Sequence, residues 1–329
     1  MTRPLPPSTC PCLVHNEGYI WTYVALSFPS TVILDMGAKP MSRIGIAGLQ
    51  LEASNGKNVD LMEAEIDAVV QRYPWVDMVI LAELNAFGVD LKHAQPLPGP
   101  FENRFAEVAR RNDVWLIPGS IMERKGTNCF NTASIINPDG DVVARYRKQF
   151  LWQPYEINVS AGDEFVVFDV PGVGRFGLSI CYDMWFPETL RTLTCMGAEV
   201  ILHPSLTSTI DRDAERCMVR ASAAMFQCYF FDVNVAGPLG NGQSMIAGPG
   251  GEIIHAAGYS REIMPLMLDL EYVRQVRRDG WHGLGQPLKS FRDSKLAFPQ
   301  YCEGYVSAAL DALGPLAKAR RTRGPGAKR

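Results

Sequence analysis

Apolar runs at 44–50, 78–82 and 114–118 are short and nearly uninterrupted, the pattern of strands buried on both faces. Between them the spacing shifts to the helical period. Val59, Met62, Ile66, Val69 and Tyr73 share one helix face, and Phe101, Phe105, Val108 and Ala109 share another. From 129 to 180 the chain reads as short strands joined by turns, with Asn137-Pro138-Asp139-Gly140 as a hairpin turn and a further strand over 164–170. A strand over 176–180, a helix opened by Pro187 over 187–197, a strand over 199–203 and a helix over 211–226 follow. That last helix is expected to bury Ala214, Cys217, Met218, Ala221 and Met225. Strands over 228–235, 243–247, 252–256 and 263–269 complete the pattern. Strands alternating with helices, plus hairpins and no repeat or long linker, predict one α/β domain of about 270 residues with helices on the outer faces of its sheets. Periodicity leaves open whether there is one sheet or two stacked ones.

The ends of the chain depart from this rhythm. Gly18 to Leu34 is uncharged but contains Pro29 and several Ser and Thr, and it falls short of the roughly 20 apolar residues of a spanning helix. It also lacks a basic leader beyond Arg3 and a small-residue cleavage site, so no membrane association is expected. The folded domain is expected to span 41–290, preceded by a poorly ordered N-terminal extension (1–40) and followed by a C-terminal extension (291–329). The C-terminal extension ends in Lys318, Arg320, Arg321, Arg323, Lys328 and Arg329 with no acid nearby, a disordered tail or a contact for an anionic surface. A net charge of −3 on 329 residues gives no overall basic field for nucleic acid. Eight cysteines are too few for a disulfide scaffold, so reduced core thiols and a cytoplasmic location are expected. Cys10 and Cys12 lack a second ligand pair and no His-x-x-His occurs, so no metal is expected.

Two motifs invite a reading they do not support. Gly172-Val173-Gly174-Arg175-Phe176-Gly177 satisfies G-x-G-x-x-G, but it lies between two strands, where no helix N-terminus can receive a pyrophosphate. Gly177-Leu178-Ser179-Ile180-Cys181 resembles a serine-hydrolase elbow with its last glycine replaced by cysteine. Its nearest following histidine, His203, is tied to Pro204 and is a poor partner.

A stronger constellation sits at three strand ends. Cys181 follows a buried strand just before a helix start, where α/β sheets bind ligands and where the next N–H groups can face an oxyanion. Glu83 ends the apolar run Val79-Ile80-Leu81-Ala82, a costly position for a carboxylate unless it is paired or at work. The strand from Val142 ends in Arg145-Tyr146-Arg147-Lys148, which brings a cation to a comparable edge. A carboxylate base, an ammonium and a thiol suffice for acyl transfer without histidine.

Leu81-Ala82-Glu83, Tyr146-Arg147-Lys148 and Ile180-Cys181-Tyr182-Asp183 occur in an order and at spacings that resemble the nitrilase superfamily of carbon–nitrogen hydrolases, over about Arg43 to Met267. Asn131-Thr132-Ala133 and Asn137-Pro138-Asp139-Gly140 match the same context. The resemblance implies an αββα four-layer sandwich, a Glu83–Lys148–Cys181 triad, hydrolysis of a non-peptide C–N bond through a thioester, no cofactor, and a homodimer or larger homo-oligomer. Lys148-x-x-x-Trp152-x-Pro154-x-Glu156 is similar to the amidase pattern, in which the second glutamate orients the amide and the attacking water; the alternative is a surface acid. By the same resemblance, Tyr182-Asp183 after the cysteine implies amides and not nitriles, since true nitrilases typically carry Trp-Glu there. Met184, Trp185 and Phe186 stand where carboxylate-recognising relatives place arginine, so the pocket is expected to be apolar-walled by Trp152, Tyr182 and Trp185, unless Trp185 only covers the helix start. Arg212 and Arg216 are the plausible substitutes for the missing arginine. The expected reaction is hydrolysis of a small neutral amide to an acid and ammonia. An N-carbamoyl substrate is the alternative, and a catalytically idle binding or assembly protein is a second one.

Overall fold

The structure is a computed structural model that describes residues 42–318; the expectations for 1–40 and for the basic tail past Lys318 lie outside the described residues. The strands are β1 (Arg43–Gln50), β2 (Met78–Leu81), β3 (Trp115–Ile117), β4 (Ser120–Lys125), β5 (Asn128–Ile136), β6 (Val142–Arg147), β7 (Val166–Val170), β8 (Gly174–Leu178), β9 (Val200–Ser205), β10 (Tyr229–Asn234), β11 (Met245–Ala247), β12 (Ile253–Ala256) and β13 (Glu262–Asp269). The helices are α1 (Val59–Arg72), α2 (Pro100–Asn112), α3 (Pro187–Cys195), α4 (Asp211–Phe226), α5 (Leu270–Asp279), α6 (Pro287–Asp293) and the single turn α7 (Ala308–Asp311).

Two sheets form, which periodicity had left open. One has the order β13-β1-β2-β3-β5-β4 with β6 also on β5, and the other runs β12-β11-β10-β9-β8-β7. The reason each central strand is apolar throughout is visible along β1 and β2. Ile44, Ile46, Met78 and Ile80 point between the sheets, where they meet Leu178, Leu202, Phe231 and Val233. The alternate residues Ala47, Leu49, Val79 and Leu81 point the other way, onto Met62 and Ile66 of α1 and Phe105 and Val108 of α2. On the second sheet Ile201 and Phe230 face Leu193, Val219 and Phe226 of α3 and α4. The result is the αββα sandwich, three apolar seams between four layers.

The glycine-rich hexapeptide is the turn between β7 and β8, as its flanking strands required, with Gly172 at φ +75°. One expectation fails. Ala214, Cys217, Ala221 and Met225 of α4 are exposed and Met218 is half-buried, whereas Arg212, Glu215, Val219, Ser222, Ala223 and Phe226 face inward. The inward face carries charges that are paired inside the protein, so hydropathy alone pointed to the wrong side. The cysteines also divide: Cys129, Cys181 and Cys228 are buried, but Cys195, Cys217 and Cys302 are exposed.

In each sheet the central strands run parallel, β1-β2-β3 and β8-β9-β10, so their C-terminal ends gather at one edge. Backbone hydrogen bonds join the sheets there: Glu83 N–H donates to Ser205 O at 3.3 Å and Ala236 N–H to Leu51 O at 2.9 Å.

Candidate active site

Glu83, Lys148 and Cys181 leave the ends of β2, β6 and β8 and meet in one cavity of about 310 Å³. Lys148 Nζ lies 2.9 Å from Glu83 Oε1 and 3.1 Å from Glu156 Oε1. Asn131 Nδ2 donates to the same Glu83 oxygen at 2.7 Å, which fixes the carboxylate from the β5 side. Behind it, Gly119 adopts φ +77°, and a Cβ there would come within 2.0 Å of Ala82 O, so this turn under Glu83 has no room for a side chain. Glu156 lines the same cavity and accepts from the Trp152 N–H through its second oxygen.

Cys181 opens a short 3-10 turn, Cys181–Trp185, with φ +47°, a left-handed conformation that a side-chain-bearing residue adopts at a cost of order 1–3 kcal/mol. Asp183 holds this bend. Its Oδ2 accepts from Ile180 N–H at 2.8 Å and from the Tyr146 hydroxyl at 2.7 Å, while Oδ1 accepts from the N–H groups of Phe150 and Gln149. One buried carboxylate therefore ties the lysine-bearing strand end to the cysteine-bearing bend. In the sequence Asp183 stood out only as a branch marker; its clasp function left no periodic or compositional signal.

The electrostatics follow from burial. Desolvation raises the Glu83 carboxyl above the ordinary carboxylate value, against the pull of Lys148. Burial works against the Lys148 ammonium too, but attraction from the neighbouring acidic groups, Glu83 foremost, outweighs it and raises its pKa. Desolvation and the Glu83 charge push the Cys181 thiol well up, so the resting group is the neutral thiol and needs a base to remove its proton.

Trp152, Tyr182 and Trp185 all line the cavity. Residues that sequence reasoning did not place there include Thr207 and Glu215; Thr207 Oγ1 lies 4.0 Å from Cys181 Sγ and donates to Glu215. Arg212 is buried and committed to Asp232 and Glu215, and Arg216 reaches Gln243. Arg191 lies between the rings of Phe226 and Phe291. Among the described residues lining the cavity, Lys148 is the one cation. Ser179 Oγ and His203 Nδ1 do meet, at 2.7 Å, but both are fully buried under the cysteine bend and face no substrate.

Three strand-end groups of this kind in an αββα sandwich define a carbon–nitrogen hydrolase, and the chain belongs to that family: the carbon-nitrogen hydrolase pattern matches residues 43–278. It is a hydrolase acting on C–N bonds, with amides as the bond class of its relatives. It is 29% identical over 243 residues to the 2-oxoglutaramate amidase of Bacillus subtilis, covering 70% of this chain and 93% of that one. It is 30% identical over 204 residues to Omega-amidase NIT2 of Xenopus tropicalis, covering 56% and 72%. Among solved structures it resembles Nit3 of Saccharomyces cerevisiae, a member of branch 10 of the nitrilase superfamily, with a TM-score of 0.66, 26% identity and coverage of 72% and 93%.

Proposed function

We propose that the protein hydrolyses a small amide with an uncharged acyl chain through a thioester on Cys181. The observation that carries this is the meeting of a thiol, a carboxylate and an ammonium in one cavity, with Lys148 bridging Glu83 and Glu156 at 2.9 and 3.1 Å. Glu83 takes the thiol proton as Cys181 Sγ attacks the amide carbon. Lys148 and the N–H groups after Cys181 stabilise the tetrahedral oxyanion. Glu83 returns the proton to the nitrogen, ammonia leaves and the thioester forms. Glu156 orients first the amide and then the water that Glu83 activates to release the acid.

The acyl preference rests on charge. 2-Oxoglutaramate, named for the Bacillus subtilis relative, bears a carboxylate, and burying one without a paired cation costs several kcal/mol. Lys148 is already shared by two carboxylates and Arg212 by two more. A neutral acyl amide should therefore exceed its equal-length ω-carboxylate analogue by at least about tenfold in kcat/KM, roughly 1.4 kcal/mol. Preference for the acid in that matched pair would overturn the neutral-pocket reading.

Cys181→Ala changes little volume and should leave the fold intact while removing several orders of magnitude of turnover. Hydroxylamine added to the wild-type enzyme should divert the thioester to a hydroxamate. Residual activity above a few per cent of wild type in Cys181→Ala would refute the nucleophile assignment.

Assembly belongs to the same reading. The outward face of α4 presents Ala214, Cys217, Ala221 and Met225, an apolar stripe at helical spacing, and Met225 is 45% exposed. A second copy of the chain is the partner this proposal assigns to it.

A further inference from the structure

On the side of Cys181 formed by the second sheet, a chain of buried polar groups runs from the sulfur into the core. Thr207 Oγ1 lies 4.0 Å from Cys181 Sγ. Its hydroxyl donates to Glu215 Oε1 at 3.0 Å, and Arg212 Nη1 donates to the other Glu215 oxygen at 3.1 Å. Arg212 Nη2 in turn pairs with Asp232 and donates to Gln243 O, and Asp232 accepts from Ser205 Oγ at 3.0 Å. The backbone of Thr207 is held as firmly: its N–H donates to Asn234 Oδ1 at 2.8 Å and its carbonyl accepts from Asn234 Nδ2 at 3.0 Å.

Arg212, Glu215 and Asp232 are at most 3% exposed. A buried cation with two carboxylates is a poor means of stabilising a fold, because apolar residues of the same volume do as well or better. What such a network can supply is fixed geometry. The end of this one that reaches the cavity is the Thr207 hydroxyl with Glu215 behind it, beside the reacting sulfur. While Thr207 donates to Glu215, only its lone pairs can turn toward the sulfur, so it can receive the thiol hydrogen and cannot donate to the sulfur.

We propose that Thr207 orients the Cys181 thiol for attack, and that Glu215, Arg212 and Asp232 are positioning residues that act on the thiol by clamping the Thr207 hydroxyl. This rests on the assignment of Cys181 as the nucleophile. No bond to Thr207 is made or broken: with the Leu206 carbonyl, also 4.0 Å from the sulfur, it limits the rotamers of Sγ, and the S–H turns to Glu83 as the proton is removed.

The test compares Thr207→Val, Thr207→Ser, Glu215→Met and the double variant Thr207→Val/Glu215→Met, reading kcat, KM and the second-order rate of Cys181 alkylation by iodoacetamide. Misplacement of a reacting atom by about 1 Å can cost about a hundredfold, so Thr207→Val should lose between about tenfold and a hundredfold in kcat and in alkylation rate, with KM nearly unchanged. Thr207→Ser keeps the hydroxyl and should recover most of both. Glu215→Met leaves the neutral Arg212–Asp232 pair and should show the same loss, and the double variant should be no worse than either single one. Wild-type alkylation and turnover in Thr207→Val would overturn the proposal, as would losses that multiply in the double variant. An inactive Cys181→Ala beside a fully active Thr207→Val would sink this inference alone, whereas an active Cys181→Ala would sink the nucleophile assignment beneath it.

Discussion

His203 lies beneath the Cys181 bend, its Nδ1 bonded to Ser179 and its ring against Phe230, with no exposure to solvent. Burial pushes its pKa down to about 4 from 6.5, so it stays neutral in the fold where an unfolded histidine already takes up a proton. The unfolded state then binds more protons, and stability falls as pH falls. The contribution is complete above about pH 6.5 and is lost toward pH 4, on the order of 3 kcal/mol for a shift of this size. His203→Gln removes this titration. Its unfolding free energy, measured by urea at pH 7.5 and 4.5, should therefore drop less between the two than that of the wild type. Equal drops would place the acid sensitivity elsewhere. At this scale the chemistry-bearing side chains were legible in the sequence, because a carboxylate, a cation and a thiol at the ends of apolar strands have few bland explanations. Thr207, Glu215 and the clasp of Asp183 were not, since each derives its meaning in part from partners up to 37 residues away that only the folded chain brings near.

Among the elements, α4 shows most clearly why pattern reading stops where it does. Ala214, Cys217, Ala221 and Met225 lie on its surface while Arg212 and Glu215 lie inside beside Val219, Ala223 and Phe226, because the two charged residues find partners that hydropathy cannot see. The strands are more legible: a residue in a sheet buried on both faces needs only to be apolar, and period two then sorts it to one seam or the other. The joint between β6 and the cysteine bend depends on Asp183, which accepts from four donors and is fully buried. Burial raises its carboxyl pKa, and its donors hold the charge in place. Asp183→Ala would leave the Tyr146 hydroxyl and three N–H groups unpaired and should cost about 3 kcal/mol or more. Turnover should fall as well, under conditions where circular dichroism still reports a folded protein. An unchanged urea midpoint would show the clasp to be dispensable.

At the scale of the whole molecule, the proposal that a second copy covers the exposed stripe on α4 has a direct test. Under it, Ala221→Glu with Met225→Glu would set charges into the proposed contact and should shift light scattering to the monomer mass, without loss of secondary structure. A wild-type protein that is itself monomeric at micromolar concentration would remove the assignment of a second copy. Among the described residues no helix is long and apolar enough to cross a membrane.

The two halves of the proposed chemistry ride on different sheets. Glu83 and Lys148 belong to the sheet of β2 and β6, while Cys181 and Thr207 belong to that of β8 and β9. The catalytic distances are thus a vernier for the alignment of one sheet upon the other. A void opened in the seam between them, such as Ile135→Ala or Phe231→Leu, lets that alignment drift by tenths of an ångström while every helix and strand persists. Loss of turnover would then come well ahead of loss of fold, and the enzyme would report on the tightness of its own interior.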